Sequence, residues 1–162
     1  MTVTLGKDLR NIKLDELLSS FAGRGYELTG VNGYPVSINT EETIIAALLR
    51  DKEPKARLLE GIPVLLIKNE VDYKFLRKLI DQYRLHNEFG YFGEFTLKYV
   101  ENEDLSNLVE YCKNNMKPEE VSLSTFYDFF KRFPTDFKNQ GRWNLIGAPS
   151  YLSLEKKLEL RS

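Results

Sequence analysis

The sequence has very little cysteine and histidine: Cys112 and His86 are the only examples among 162 residues. One cysteine excludes an intrachain disulfide and any multi-cysteine zinc site, and its simplest setting is a reducing, intracellular compartment. One histidine excludes a His-rich metal site. The sequence therefore predicts a cytoplasmic protein that holds no metal and needs no cofactor.

The chain also has no excess of either charge and no long apolar run. It contains 23 lysines and arginines against 24 acidic residues, whereas nucleic-acid-binding domains are usually strongly basic. The longest uninterrupted apolar run, residues 62–67, is far shorter than the ~20 residues that cross a bilayer. The N-terminus has no apolar stretch of signal-peptide length. We expect a soluble protein with no membrane partner, and the balanced charge leaves room only for a local cationic patch.

Catalytic signatures are missing too. The Gly-x-Ser-x-Gly, Gly-x-Gly-x-x-Gly and Walker patterns do not occur, and these patterns place a nucleophilic serine or cradle a phosphate. Paired carboxylates stand where helices are predicted to begin, where capping explains them. His86 is interpreted as a C-terminal helix cap, and Cys112 as a buried, inert thiol. The sequence favours binding over catalysis, and an enzyme centred on His86 is the weakest of three hypotheses.

What the sequence does contain is helical periodicity, which predicts a mainly α, compact multi-helix domain over residues 1–162. The segment at about 41–86 carries the densest apolar content and is the predicted helical core, broken near Gly61 by that glycine and Pro63. Further helices are expected in an aromatic-rich C-terminal region, 104–160, and residues 94–100 fit either a helix or a strand, of which we prefer the helix. The predicted helices are Lys13 to Ala22, Glu41 to Arg50, Tyr73 to His86, Asp104 to Asn114, one through Phe126 to Phe133 capped by Ser122 or Ser124, and Leu152 to Leu160, with 135–149 rich in turns.

One β element is expected near the N-terminus. Two short β-prone runs flank Asn32-Gly33, and an Asn-Gly pair is a strong hairpin signal because both residues tolerate positive φ. The pattern predicts a small hairpin over about 26–38, with Pro35 restricting its second strand to an edge.

Two stretches could bind nucleic acid. In the first, aromatic residues alternate with cations, the mixture that binds single strands, although the helical spacing of the phenylalanines also suits core packing. In the second, the helix from Tyr73 would be the recognition helix of a helix-turn-helix unit, although most cationic helix faces are simply solvated. The candidate residues are Lys131, Arg132, Lys138, Arg142 and Trp143 in the first stretch and Lys74, Arg77 and Lys78 in the second.

Part of the chain resembles a known family. The run from Ala56 to Leu66, followed by Lys68-Asn69, Asp72, Asn87 and Gly90-Tyr91, looks like a helical module of prokaryotic, especially archaeal, abortive-infection or type IV toxin–antitoxin proteins. There the module accompanies a winged-helix or nucleotidyltransferase region, and this chain has neither a clear winged-helix unit before it nor the Gly-Ser acidic signature of the transferase. The resemblance implies a regulatory, antitoxin-like role for a free-standing relative of the accessory part.

These observations lead to one functional expectation and one alternative. We expect a non-catalytic interaction or regulatory protein whose partner is another protein or a second copy of itself. The alternative is a nucleic-acid-binding protein or transcriptional regulator that uses one of the two local patches.

Overall fold

The computed structural model describes residues 8–28, 33–123 and 137–161. Within these ranges the chain is mainly helical, as the periodicity predicts, and it has one two-stranded parallel sheet. After a 3-10 turn at Leu9–Asn11, the elements are α1 (Leu14–Gly23), α2 (Thr40–Leu49), α3 (Ala56–Glu60), α4 (Ile62–Lys68), α5 (Tyr73–Tyr83), α6 (His86–Thr96), α7 (Glu103–Asn114), β1 (Val121–Ser122), α8 (Phe137–Arg142), β2 (Leu145–Ile146) and α9 (Tyr151–Arg161).

Side-chain caps fix where several helices begin. Asn39 accepts a hydrogen bond from the Glu42 backbone N–H at 2.8 Å, and the Glu42 carboxylate accepts one from the Asn39 N–H at 3.1 Å. This capping box satisfies two N–H groups that a helix start leaves without partners. Asp72 and Asn102 cap α5 and α7 more simply, because the side chain of each accepts one backbone hydrogen bond. The predicted starts of α2 and α5 are therefore confirmed.

The core segment divides at Gly61, as expected. Gly61 ends α3, and Pro63 lies in the first turn of α4, where proline costs no hydrogen bond. Gly61 also permits a close approach, because a Cβ there would lie 2.4 Å from the Tyr26 ring and 2.9 Å from the Phe21 ring. The break at Gly61 lets the two short helices α3 and α4 pack against Phe21 of α1 and Tyr26, which follows α1 in the chain.

Helix α6 is the centre of the fold. All of its residues except Glu94 are buried, and it packs mainly against α4 and α7. A helix that is buried on every side needs small residues where its neighbours come closest. A Cβ at Gly90 would lie 2.1 Å from the Trp143 ring, and one at Gly93 would lie 2.6 Å from Val109. The two glycines thus admit the indole on one side and α7 on another.

The parallel strands join the segment after α7 to the segment after α8. Val121 pairs with Leu145 and Ser122 with Ile146. The Val121 N–H donates to the Asn144 carbonyl at 2.8 Å, and the Leu123 N–H donates to the Ile146 carbonyl at 2.9 Å. The sequence carries no signal for this sheet, because strands of two residues are too short to show an alternation of apolar and polar side chains.

The predicted N-terminal hairpin over 26–38 is wrong in the part that can be checked. Residues 29–32 lie outside the described residues, and the rest of the segment contains no strand. Side chains of the α1 region bond its backbone instead: Glu16 accepts from the Ser37 N–H at 2.6 Å, and Arg24 donates to the Ile38 carbonyl at 3.1 Å. With these partners the extended segment has no need of a paired strand.

Other boundaries also differ. The predicted Tyr73 to His86 helix ends at Tyr83, because Arg84 adopts a left-handed conformation with φ 56°, and a new helix begins at His86. The ambiguous stretch 94–100 is helical to Thr96 and then turns. Ser122 lies in β1 rather than at a helix cap, and the predicted helix through Phe126 to Phe133 falls outside the described residues. The turn-rich prediction for 135–149 missed the short helix α8.

Among the described residues, no helix combines the length and the apolar character that a membrane crossing requires.

A substitution at Gly90 tests the central packing. Because the Trp143 indole is rigid and its Nε1–H donates to Glu94 at 3.1 Å, we expect Gly90→Ala to lower the free energy of unfolding by about 3 kcal/mol in urea denaturation. Gly141→Ala is the matched control, since a Cβ there meets no atom within 4 Å and alanine is the better helix former. Equal stability of the two variants would contradict this account of α6.

Candidate functional site

The cationic residues predicted on α5 share one exposed face. Lys74, Arg77 and Lys78 are exposed at spacings of three and four residues, which places them side by side on a helix. The Arg77 guanidinium lies 3.7 Å from the centroid of the Tyr111 ring on α7, a cation–π contact that holds it against the neighbouring helix. The three cations thus share one exposed helix face, and their role in binding nucleic acid stays a prediction.

The same face carries an acidic group. Asp81 Oδ1 accepts a hydrogen bond from the Tyr111 hydroxyl at 2.8 Å and lies 2.8 Å from His86 Nε2. This aspartate reduces the local positive charge beside Arg77. The patch on α5 is therefore mixed in charge towards its C-terminal end, where Asp81 follows Lys78.

The interpretation of His86 as a C-terminal cap is wrong. His86 is the first residue of α6, and Arg84 closes α5 through its backbone N–H. The imidazole is 11% exposed and contacts Asp81 and the Tyr111 ring. Through these contacts His86 links α5, α6 and α7.

Of the second predicted patch, the structure describes the side chains of Arg142 and Trp143. Trp143 is only 1% exposed, because its indole fills the space above Gly90, and this corrects its assignment as a base-stacking residue. Arg142 forms an ion pair with Glu94 at 2.9 Å and is 47% exposed at its side chain. Lys131 and Arg132 lie outside the described residues, and the side chain of Lys138 is likewise not described.

Cys112 is buried, as predicted. Burial raises the pKa of its thiol to about 12, so the thiol stays protonated at neutral pH. Since the thiolate is the nucleophilic form, this cysteine is chemically inert in the folded chain. Among the described residues, no group of three His, Cys, Asp or Glu side chains could hold a metal ion.

Two buried charged groups lie near the N-terminal half of α6. Glu88 Oε2 lies 3.5 Å from Lys117 Nζ, while its other carboxylate oxygen has no hydrogen-bond partner among the described residues. Burial raises the pKa of Glu88, and the positive charge of Lys117 opposes this. Lys55 donates to the Leu48 and Arg50 carbonyls at the end of α2. Burial lowers the pKa of Lys55 to about 8. These groups connect elements of the core and do not converge on an open site.

The surface that stands out instead is an apolar groove between α4 and α9, about 280 Å³ in volume. Its apolar walls come from Val64 and Ile67 on α4, Tyr99 after α6 and Leu158 on α9. Lys68 borders the α4 side, and two glutamates border the α9 side. We call this the α4–α9 groove; its lining residues are Val64, Ile67, Lys68, Tyr99, Glu155, Leu158 and Glu159.

Exposed apolar side chains extend this groove. Tyr99 is 44% exposed and Leu152 is 62% exposed. Leu152, Glu155 and Glu159 lie at i, i+3 and i+7 on α9, and so on the same side of that helix. Neither apolar residue was predicted as a site residue. Leu152 does not share the helical spacing of Leu154 and Leu158, which face inward, and this difference in spacing is the signal that could have identified it.

The position of α9 depends on contacts with α3 and α6. The Ser153 hydroxyl donates to the Glu60 carboxylate, and Lys157 Nζ lies 3.8 Å from the same group. Tyr91 on α6 donates to the Pro149 carbonyl at 2.6 Å just before α9 begins. These contacts place the exposed side of α9 beside α4, which creates the groove.

No protein-family model, curated protein or solved structure matches the chain. Function is therefore inferred from the geometry of the α4–α9 groove and of the cationic face of α5.

The buried lysine makes a prediction about pH. The pKa of Lys55 is about 8 in the folded chain, against the ordinary lysine value of 10.5. Between these two pH values the unfolded chain binds more protons than the folded chain, so the free energy of unfolding should rise with pH in this window. We expect a rise of about 1 kcal/mol in the free energy of unfolding between pH 8 and 9, and no such rise in Lys55→Met.

Lys52→Met is the matched control, because Lys52 is exposed and the variant should keep the pH-dependent rise. From about pH 8 upwards the buried Cys112 acts in the opposite sense, because the unfolded thiol loses its proton around its ordinary pKa of 9.0 while the folded thiol keeps it. The comparison between variants cancels that contribution. The same pH slope in Lys55→Met and the wild type would contradict the assignment.

Proposed function

We propose that this chain is a non-catalytic interaction protein that binds an amphipathic helix of another protein in the α4–α9 groove. One observation carries the proposal. The described residues include three exposed large apolar side chains, Val36, Tyr99 and Leu152. Tyr99 lines this groove, and helical spacing places Leu152 on the same side of α9 as the groove residue Glu155. Exposed apolar side chains gathered around a concave surface are typical of interaction sites.

The groove suits helix binding for a physical reason. Helix-in-groove recognition inserts apolar side chains spaced at i, i+3 or i+4 and i+7 between two elements of the receptor. Here α4 and α9 supply the two walls, and Ile67 and Leu158 are apolar residues of these walls. Covering a leucine as exposed as Leu152 would contribute about 1–2 kcal/mol of hydrophobic free energy.

The occupant is expected to be a separate protein. A groove is filled by a protruding apolar element, and the apolar faces of α1, α2, α5 and α7 are already buried against the core. Among the residues that the structure describes, a second copy would therefore have little to insert. The charges at the groove set its orientation: the partner helix should place basic residues towards Glu155 and Glu159 and an acidic residue towards Lys68.

The resemblance to antitoxin-like modules supports a regulatory role for this binding. The resembling run from Ala56 to Leu66 forms α3 and the greater part of α4, and α4 is one wall of the groove. We therefore propose that an antitoxin-like chain would use this wall to contact its partner protein.

A displayed library of helical peptides tests the groove. We expect selection on the wild-type chain to enrich sequences with apolar residues at i, i+3 or i+4 and i+7 and with basic residues on one flank. In calorimetric titrations, Tyr99→Lys and Leu152→Lys should each weaken the enriched peptides about tenfold. Val36→Lys is the matched control, because it introduces the same charge at the exposed apolar residue away from the groove.

Three outcomes would contradict the proposal. The first is enrichment of peptides that have no amphipathic pattern, and the second is binding that Leu152→Lys leaves unchanged. The third is a dimer of the chain, measured by light scattering, that Leu152→Lys dissociates, because the occupant would then be a second copy.

Nucleic-acid binding is the second candidate function, and the exposed cationic face of α5 favours it. Lys74 and Lys78 are exposed there and make no ion pair with the described residues. Lysines that neutralise phosphates release counterions, so the affinity depends on salt. Among the described residues, a binding site of this kind would use α5 and not Trp143, which is buried.

Charge reversal tests this candidate. If α5 binds single-stranded nucleic acid, the double variant Lys74→Glu and Lys78→Glu should weaken binding and reduce the slope of log affinity against log salt by about 1.4, the value for two phosphate contacts. The control reverses two exposed cations elsewhere, Arg57 and Lys156. An equal loss in the control would show that only the net charge matters and would rule out an α5 site.

A further inference from the structure

A second region of the surface is built differently from the α4–α9 groove. A polar pocket of about 370 Å³ lies where the 3-10 turn at Leu9–Asn11 and the start of α1 meet the end of α2. Four of its lining residues are cationic, Arg10, Lys13, Arg50 and Lys52, and one, Asp51, is acidic. A local excess of positive charge is notable in a chain whose net charge is −1.

The cations differ in what already compensates them. Arg10 is paired with Asp8 at 3.1 Å. The side chains of Lys13 and Lys52 make no hydrogen bond or ion pair with the described residues. Two uncompensated lysines that line the same pocket repel one another, and a bound anion would remove that repulsion.

Arg50 adds a separate observation. One of its terminal nitrogens donates to the Glu53 carbonyl at 3.0 Å, but its Nε–H is buried and has no acceptor among the described residues. A buried donor without a partner costs about 1–3 kcal/mol, more when the group is charged. That nitrogen is shielded from solvent, so an anion in the pocket that Arg50 lines would be held by the positive charge of its guanidinium and not by the Nε–H.

A neighbouring pocket of about 640 Å³ shares Asn11, Ile12 and Lys13 with the first. Its far side is formed by Tyr34, Pro35 and Val36, and Val36 is 40% exposed. Glu16 lies in this second pocket too, but its carboxylate already accepts hydrogen bonds from the Ser37 N–H at 2.6 Å and hydroxyl at 2.8 Å. An aromatic ring and two apolar side chains therefore stand beside a cationic pocket.

We infer that the two pockets form one binding site for a small phosphate monoester with an aromatic organic group, such as a nucleoside monophosphate. The phosphate lies among Lys13, Arg50 and Lys52, and the organic group lies against Tyr34, Pro35 and Val36. Binding sites for small molecules commonly combine an apolar wall with a few placed charges and have volumes of this order. This site is independent of the α4–α9 groove.

Calorimetric titration of the full chain with adenosine monophosphate, adenosine and inorganic phosphate tests the inference. We expect the monophosphate to bind about tenfold more tightly than either fragment, with an affinity that falls as salt rises. Lys13→Gln and Lys52→Gln should each weaken it about fivefold, and both variants should keep the melting temperature because neither lysine side chain has a partner among the described residues. Tyr34→Ala should weaken the monophosphate but not inorganic phosphate.

Lys78→Gln is the matched control, since it removes the same charge from an exposed position on α5. An NMR spectrum gives a second readout, in which the Arg50 Nε–H signal should shift when the monophosphate is added. No binding at about 5 mM, or the same loss in Lys78→Gln as in Lys52→Gln, would overturn the inference. A single-stranded oligonucleotide that bound more tightly than the monophosphate, and was weakened equally by Lys52→Gln, would overturn the small-ligand class.

Discussion

The structure depends on the contact between the Trp143 indole and the backbone of α6 at Gly90. Two polar groups of α6 reinforce it: the Asn87 side chain donates to the Trp143 and Lys117 carbonyls, each at 3.1 Å, and Glu94 accepts from the indole N–H. The Lys117 N–H also donates to Asn87 at 2.8 Å. One face of α6 thus attaches the segments before β1 and after α8, and the short parallel sheet forms between segments held in this way.

Because α6 is enclosed, its polar side chains serve the interior. Asn87 and Glu94 connect neighbouring segments, Glu88 is paired with Lys117, and a buried polar group that has partners stabilises one arrangement of the core. The α4–α9 groove, the cationic face of α5 and the two neighbouring pockets, one lined by Arg50 and the other by Tyr34, therefore lie at the periphery. Each combines apolar and charged side chains in a different proportion.

Local signals predicted much of the helical fold. The apolar spacing and the caps at Asn39 and Asp72 are properties of a few consecutive residues, and so is the break at Gly61, because proline and glycine act on their own turn of helix. The hairpin prediction failed because the Asn-Gly signal indicates a turn but says nothing about Glu16 and Arg24, which bond the backbone that a second strand would have bonded. In the same way, the cationic face of α5 was visible in the sequence, but the burial of Trp143 was not.

By itself the sequence determined that the chain is mainly helical, where several helices begin and where the core segment breaks, because these features arise from contacts within a few residues. Only the tertiary structure decided that α6 lies at the centre, that Tyr99 and Leu158 line one groove, and that Lys13 and Arg50 line one pocket. These arrangements depend on residues far apart in the chain. Their proximity comes from packing, and the order of the residues along the chain does not encode it locally.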